Sequence, residues 1–214
     1  TMRRFDKLSG PAGLAAALTA LPAWGQEAGG LIKAPDAAAM AGMVDKGDTT
    51  WMLVSSALVL MMTVPALGLF YGGLVRARNV LSVIMHSFVI LCAISLLWVV
   101  GGYSLVFGPG SPYLGNLGQA MLANMTELRQ GLTISETVFA LFQMTFAIIT
   151  PALVIGAFVE RVRFGWVVAF STIWTALVYV PIARWVWGGG WLATAMGTLD
   201  FAGGIVVHTT AGDR

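Results

Sequence analysis

The sequence predicts an all-α fold, a polytopic helical bundle in a membrane. Three observations carry that reading. Hydrophobic residues make up 57% of the chain and charged residues only 10%, whereas a soluble domain carries about a quarter of its residues as charges. The apolar residues gather in long continuous runs with no period-two alternation, which fits helices that satisfy their own backbone in lipid and not the strands of a barrel. Charges and turn formers fall between the runs, as in "GPGSPYLGN" at 108–116.

The N-terminus comes first in order. Arg3, Arg4 and Lys7 precede a short apolar stretch, Leu14 to Leu21, and then the small residues Ala23 and Gly25 flank Trp24. This pattern reads as a cleaved secretory signal over residues 1–25, too short to span a bilayer. Residues 26–49 are small and mixed in charge and read as an exported segment. The signal region carries a net +2, equal to the +2 of the whole chain. The remainder is close to neutral, so no basic character points to nucleic acid.

Residues 50–214 form the membrane domain. Apolar runs at 50–71, 80–107, 135–159 and 166–187 are each long enough for a helix through a hydrocarbon core of about 30 Å at 1.5 Å per residue. A fifth begins near Thr198 and reaches Arg214. Its segment to Gly212 amounts to about 22 Å of helix, short of a full span. "TISE" at 133–136 reads as a capping box, with Thr133 as N-cap and Glu136 three residues on. The connection "GGGWLATAMGTL" reads as a surface loop. Arg76 and Arg78 lie in the first interhelical loop and Arg161 and Arg163 in the third, while the second holds only Glu127 and Arg129. The positive-inside rule places loops one and three in the cytoplasm and the N-terminus outside, the orientation the signal region also demands. The single cysteine, Cys92, sits in an apolar run, which excludes an internal disulfide and a cysteine metal cluster. No metal site or cofactor is expected.

Asp200 and His208 are the sharpest chemical features, because an ionisable group at mid-membrane costs at least about 2.5–3.5 kcal/mol. Asp200 opens the fifth run, where it can cap free N–H groups at the positive end of the helix dipole or attract a cation. His208 lies eight residues on, about 12 Å along a continuous helix and on the same side; a neighbouring helix or a functional site could satisfy it. Phe142 and Phe146 are spaced i, i+4 and share a helix face. Trp185, Trp187 and Trp191 read either as an interfacial belt or as rings that attract a small cation.

Four stretches then become recognisable: "GLFYGGLVRARNVLS" (68–82), "FQMTFAIITPALVIGAFVERVRF" (142–164), "VYVPIARWVWGGGW" (178–191) and "LDFAGGIVVHTTAG" (199–212). In this order they resemble successive segments of the ammonium transporter (Amt/Rh) family. The resemblance implies an eleven-helix fold of two inverted halves, of which this chain matches the first, with the fifth helix cut short. On that reading residues 1–214 alone conduct no ammonium. The resemblance also implies a homotrimer in the inner (plasma) membrane, with lipid around it and a PII-type signalling protein as a possible partner. Phe146, Trp187 and Asp200 match the site that recruits ammonium, Phe142 matches a gating ring, and His208 matches the first pore histidine. Ammonium would enter through an aromatic vestibule and cross a hydrophobic pore as ammonia. An ammonium sensor using the same vestibule, or a structural membrane subunit, is the alternative. An intramembrane enzyme using Asp200 and His208 is disfavoured, since no serine–histidine or metal constellation accompanies them.

Overall fold

The computed structural model describes residues 43–212. The expected signal peptide, residues 1–25, and most of the exported segment lie outside the described residues. Among the described residues there is no strand, only an isolated bridge between Gly110 and Gly115. Four helices are long and apolar enough to cross a membrane. We call them α1 (Lys46–Gly73), α2 (Ala77–Phe107), α3 (Glu136–Ala157) and α4 (164–186). A short α5 (Trp191–Ala195) and a π-helical α6 (Gly204–Thr209) follow.

Helix α1 begins four residues before the apolar run. Asp45 caps it, its Oδ1 accepting the Asp48 N–H at 2.8 Å, and Asp48 in the first turn faces the positive end of the dipole. A capped polar turn is invisible to hydropathy. Inside α1 the ladder loosens to π geometry over Met62–Leu67, around Pro65. Proline lacks the N–H for the regular bond, and a local π adjustment accommodates the gap. Further π segments occur at Trp98–Gly102 in α2 and Thr175–Tyr179 in α4.

The expected capping box does not form. Ser135 is the N-cap of α3, its Oγ accepting from the Val138 N–H at 3.3 Å. Thr133 instead donates its hydroxyl to the Asp48 carboxylate of α1. Glu136 is the first helical residue and is buried, with only 2% of its surface exposed. Its carboxylate accepts from the Tyr103 hydroxyl (2.8 Å), Gln119 Nε2 (3.0 Å), Arg129 Nη1 (2.9 Å), and both the N–H and the hydroxyl of Thr126 (2.7 Å each). The Arg129 guanidinium lies over the rings of Phe139 and Phe107, 4.8 and 5.5 Å from their centroids. A buried charge is tolerable only when paired and hydrogen-bonded, and here the pairing fastens the connection after α2 to the C-terminal end of α2 and the N-terminal end of α3.

Helix α2 lies at the centre and packs on α1, α3 and α4. Ile90, Ile94 and Trp98 of α2 meet Ala147, Ile148 and Ala152 of α3 and Val167, Tyr179 and Ala183 of α4 in one core, which Val206 of α6 joins. Helix association in lipid rests on close packing and hydrogen bonds rather than on water exclusion. Bonds between helices fit that rule: the Trp98 indole N–H of α2 donates to the Ala140 carbonyl of α3 at 3.1 Å, and the Tyr71 hydroxyl of α1 to the Leu153 carbonyl of α3 at 2.9 Å. Thr145 and Thr150 donate back within α3, to the carbonyls of Phe142 and Phe146, both at 2.7 Å. The outward faces carry Trp51, Leu58, Met61, Leu96, Ile173 and Leu177, all exposed, as a lipid-facing surface requires.

Candidate functional site

Two helices and one broken connection build the aromatic site. Phe142 and Phe146, one turn apart on α3, meet edge to face with centroids 5.0 Å apart. Phe146 in turn meets Trp187, just past the end of α4, at 5.9 Å and an interplanar angle of 75°. Edge-to-face contacts of this kind leave ring faces available to a small cation. Trp187 is therefore part of a packed row of rings. Trp185 and Trp191 form a separate pair 6.0 Å apart, and Trp185 Nε1 donates to the Tyr113 carbonyl at 3.0 Å.

Arg184 holds this end of α4 in place, and sequence reasoning missed it. The guanidinium is buried, 6% exposed. Its Nη1 donates to the carbonyls of Val106 (3.0 Å) and Gly108 (2.8 Å), while Nε and Nη2 donate to the Ser111 carbonyl (3.2 and 3.0 Å). The rigid fork of arginine suits several carbonyls at once, which a lysine ammonium cannot match. Close approach also explains a glycine: a Cβ on Gly188 would collide with the Val106 carbonyl oxygen. The rule that marks His208, an ionisable residue within an apolar run, would have marked Arg184.

Asp200 is a cap. Its Oδ1 accepts the Ile205 N–H at 2.8 Å and Oδ2 the Val206 N–H at 3.3 Å. It does so from outside the helix, because Ala202 (φ 54°) and Gly203 (φ 75°) turn the chain before α6 starts. The expected continuous helix from Asp200 to His208 is thus replaced by a turn and a π-helical segment. Positive φ at Gly203 needs no side-chain accommodation. Leu199 and Phe201 beside Asp200 are more than nine-tenths exposed. The expected surface loop after Trp187 is partly helical, as α5.

His208 is exposed on α6 and lines a cavity of about 370 Å³ together with Phe146, Ile149, Leu153, Phe70 and Val207. It also borders a second, larger cavity with Tyr71 and Gly156. Phe142 lines a different space, of about 260 Å³, with Asp48, Trp51 and Thr133. The structure therefore brings Phe142, Phe146 and Trp187 into one row and Phe146 and His208 onto one cavity. Asp200 joins them through the helix it caps rather than by ring contact. The chain's other histidine, His86, escaped sequence reasoning. It is buried in α2, stacked 5.5 Å from Phe164, and its ring nitrogens have no hydrogen-bond partner among the described residues. No cluster of potential metal ligands occurs among the described residues.

The sequence profile described as Ammonium Transporter Family matches residues 50–213. The chain belongs to the Ammonium Transporter Family. It is 51% identical over 180 residues to a putative ammonium transporter of Methanothermobacter thermautotrophicus, covering 79% of this chain and 42% of that protein. It is 49% identical over 168 residues to an ammonium transporter of Bacillus subtilis, covering 78% and 41%. Among solved structures, that of Candida albicans Mep2 superposes with a TM-score of 0.71 at 38% identity, covering 81% of this chain and 38% of that one. The chain spans about two fifths of the length of the relatives it matches. Membership of this family, together with the four apolar helices, makes it a multi-pass membrane protein.

Proposed function

We propose that the protein carrying this chain moves ammonium or ammonia across a membrane, and that Phe146, Trp187 and Asp200 recruit the cation. The observation that supports this most strongly is the position of Phe146. One edge of its surroundings is Trp187, and another is the cavity that His208 lines. A cation attracted to the ring faces would stand next to an apolar space, where a bare charge is strongly disfavoured. Loss of a proton to water at the mouth lets neutral ammonia continue. His208, a donor and acceptor in its neutral form, can hydrogen-bond the passing molecule. Phe142, one turn above Phe146, is the gating ring. Asp200 holds α6, and with it His208, while placing negative charge near the mouth.

The orientation we propose puts Asp45 and the aromatic row outside and the arginine-bearing loops in the cytoplasm, with the protein in the inner (plasma) membrane. Residues 1–25 are then the signal peptide and 26–49 an exported segment. Trimer formation and a PII-type partner are further proposals that the family relationship supports. Methylammonium uptake into proteoliposomes tests the reading. We expect Phe146→Ala to raise the half-saturating concentration and His208→Ala to lower the maximal rate. Uptake unchanged by both substitutions contradicts it.

A further inference from the structure

The aromatic end of α4 carries a buried charge that the transport reading does not use. Arg184 stands three residues before Trp187, inside an apolar run, where an ionisable group is costly and calls for a role. All of its hydrogen bonds run to one short stretch of backbone, the carbonyls of Val106, Gly108 and Ser111 at the end of α2 and just beyond it. The same joint is closed from the far side of Trp187. The Gly190 N–H donates to the Arg184 carbonyl at 3.0 Å, and the Trp191 N–H to the Pro112 carbonyl at 3.1 Å. A Cβ on Gly188 would collide with the Val106 carbonyl oxygen, and one on Gly190 with that of Pro112. The backbone on both sides of Trp187 is therefore docked on the 106–112 segment.

The Trp187 ring has a looser hold than its backbone. It meets Phe146 edge to face, a contact that tolerates a range of distances and tilts. Where the ring stands relative to Phe146 thus follows from where the backbone is held. Cation–π attraction needs the cation within about 6 Å of a ring centroid, so a small drift of Trp187 separates the two rings as joint partners of one cation. We propose that Arg184 is a positioning residue for the cation site: by bridging three carbonyls of the 106–111 segment, it holds Trp187 at the spacing from Phe146 at which both rings reach one small cation. Residues that lock the group touching a ligand set its affinity without contacting the ligand themselves. Lysine is no substitute, because a single ammonium on a flexible stem cannot serve carbonyls spread over this fork. The inference rests on the transport reading above and extends it to a side chain that never touches the cation.

Methylammonium uptake by the full-length protein in proteoliposomes separates positioning from mere anchoring. We expect Arg184→Lys to raise the half-saturating concentration about fivefold, with the maximal rate per folded protein unchanged to within about a factor of two. Gly188→Ala, which disturbs the same joint without touching the guanidinium, should reproduce that rise. In a Trp187→Leu background, Arg184→Lys should add almost nothing, because its effect passes through the missing ring. A spectroscopic readout needs no cation: in chain labelled with 5-fluorotryptophan, Arg184→Lys should move the Trp187 resonance and leave that of Trp166 in place. A lower maximal rate at constant half-saturation, effects that add fully in the double variant, or an unmoved Trp187 resonance overturns the proposal. Those outcomes, with normal saturable uptake by the unsubstituted protein, leave the transport reading standing. Loss of saturable uptake in the unsubstituted protein contradicts that reading itself.

Discussion

The two ends of the bundle handle charge in opposite ways. At the aromatic end every buried charge is consumed by hydrogen bonds: Glu136 by Tyr103, Gln119, Thr126 and Arg129, and Arg184 by the carbonyls of the 106–111 segment. At the other end Arg76, Arg78 and Arg161 are exposed and line one cavity with Glu160. Buried, satisfied charges fix geometry because leaving either partner alone is costly. Exposed ones contribute little to stability. The aromatic end is thus built to hold rings in position, while the arginine end carries its charge at the surface.

The widest separation between the ends should come from Glu136→Ala. It leaves Arg129 and the donors around it unpaired, and we expect a loss of about 3 kcal/mol in stability, read as a lower unfolding temperature in detergent. Triple substitution of the inner arginines should change the same temperature hardly at all. Arg184→Met should follow, at about 2 kcal/mol, because it orphans several buried carbonyls. Arg184→Lys should recover only part of that, since the fork is lost. An equal effect from Arg184→Met and Arg78→Gln would remove the contrast between the ends. Asp200→Ala should cost about 1 kcal/mol through the lost cap, and Asp200→Asn less. Amide exchange at Ile205 and Val206, whose N–H groups the carboxylate binds, reports this directly.

How much of this was legible in the sequence varies with the physics involved. Apolar runs located the four spanning helices because hydropathy is additive along a helix. The i, i+4 spacing of Phe142 and Phe146 anticipated a contact that is local. Non-local competition was not legible. Thr133 and Ser135 are both good caps, and only the Asp48 carboxylate, 85 residues away, diverts Thr133. The break between Asp200 and α6 depends on positive φ at Ala202 and Gly203, and alanine gives no warning of that. Arg184 and His86 were hidden by their apolar neighbours, although an ionisable residue in such a run is the signal to follow.

The smallest expected effect concerns pH at the arginine end. The Asn79 amide and the Arg76 N–H hold the Glu160 carboxyl below its ordinary value, so its contribution is present above the ordinary carboxylate value and fades as pH falls through the lower folded value. Exchange protection at Arg76, whose N–H binds Glu160, should be constant from neutral pH down to mild acid and then drop. In Glu160→Gln the drop should be absent. Protection that falls at neutral pH would assign the tether to another group.

The central claim is that the ring row formed by Phe146 and Trp187 is where a small cation first rests. Fluorine NMR on chain labelled with 5-fluorotryptophan tests it at a single residue, with the Trp187 signal assigned through Trp187→Phe. On titration with methylammonium the Trp187 resonance should shift saturably, while that of Trp166, exposed at the start of α4, stays in place. A Trp187 resonance that does not move, or that moves no more than Trp166, would contradict the account.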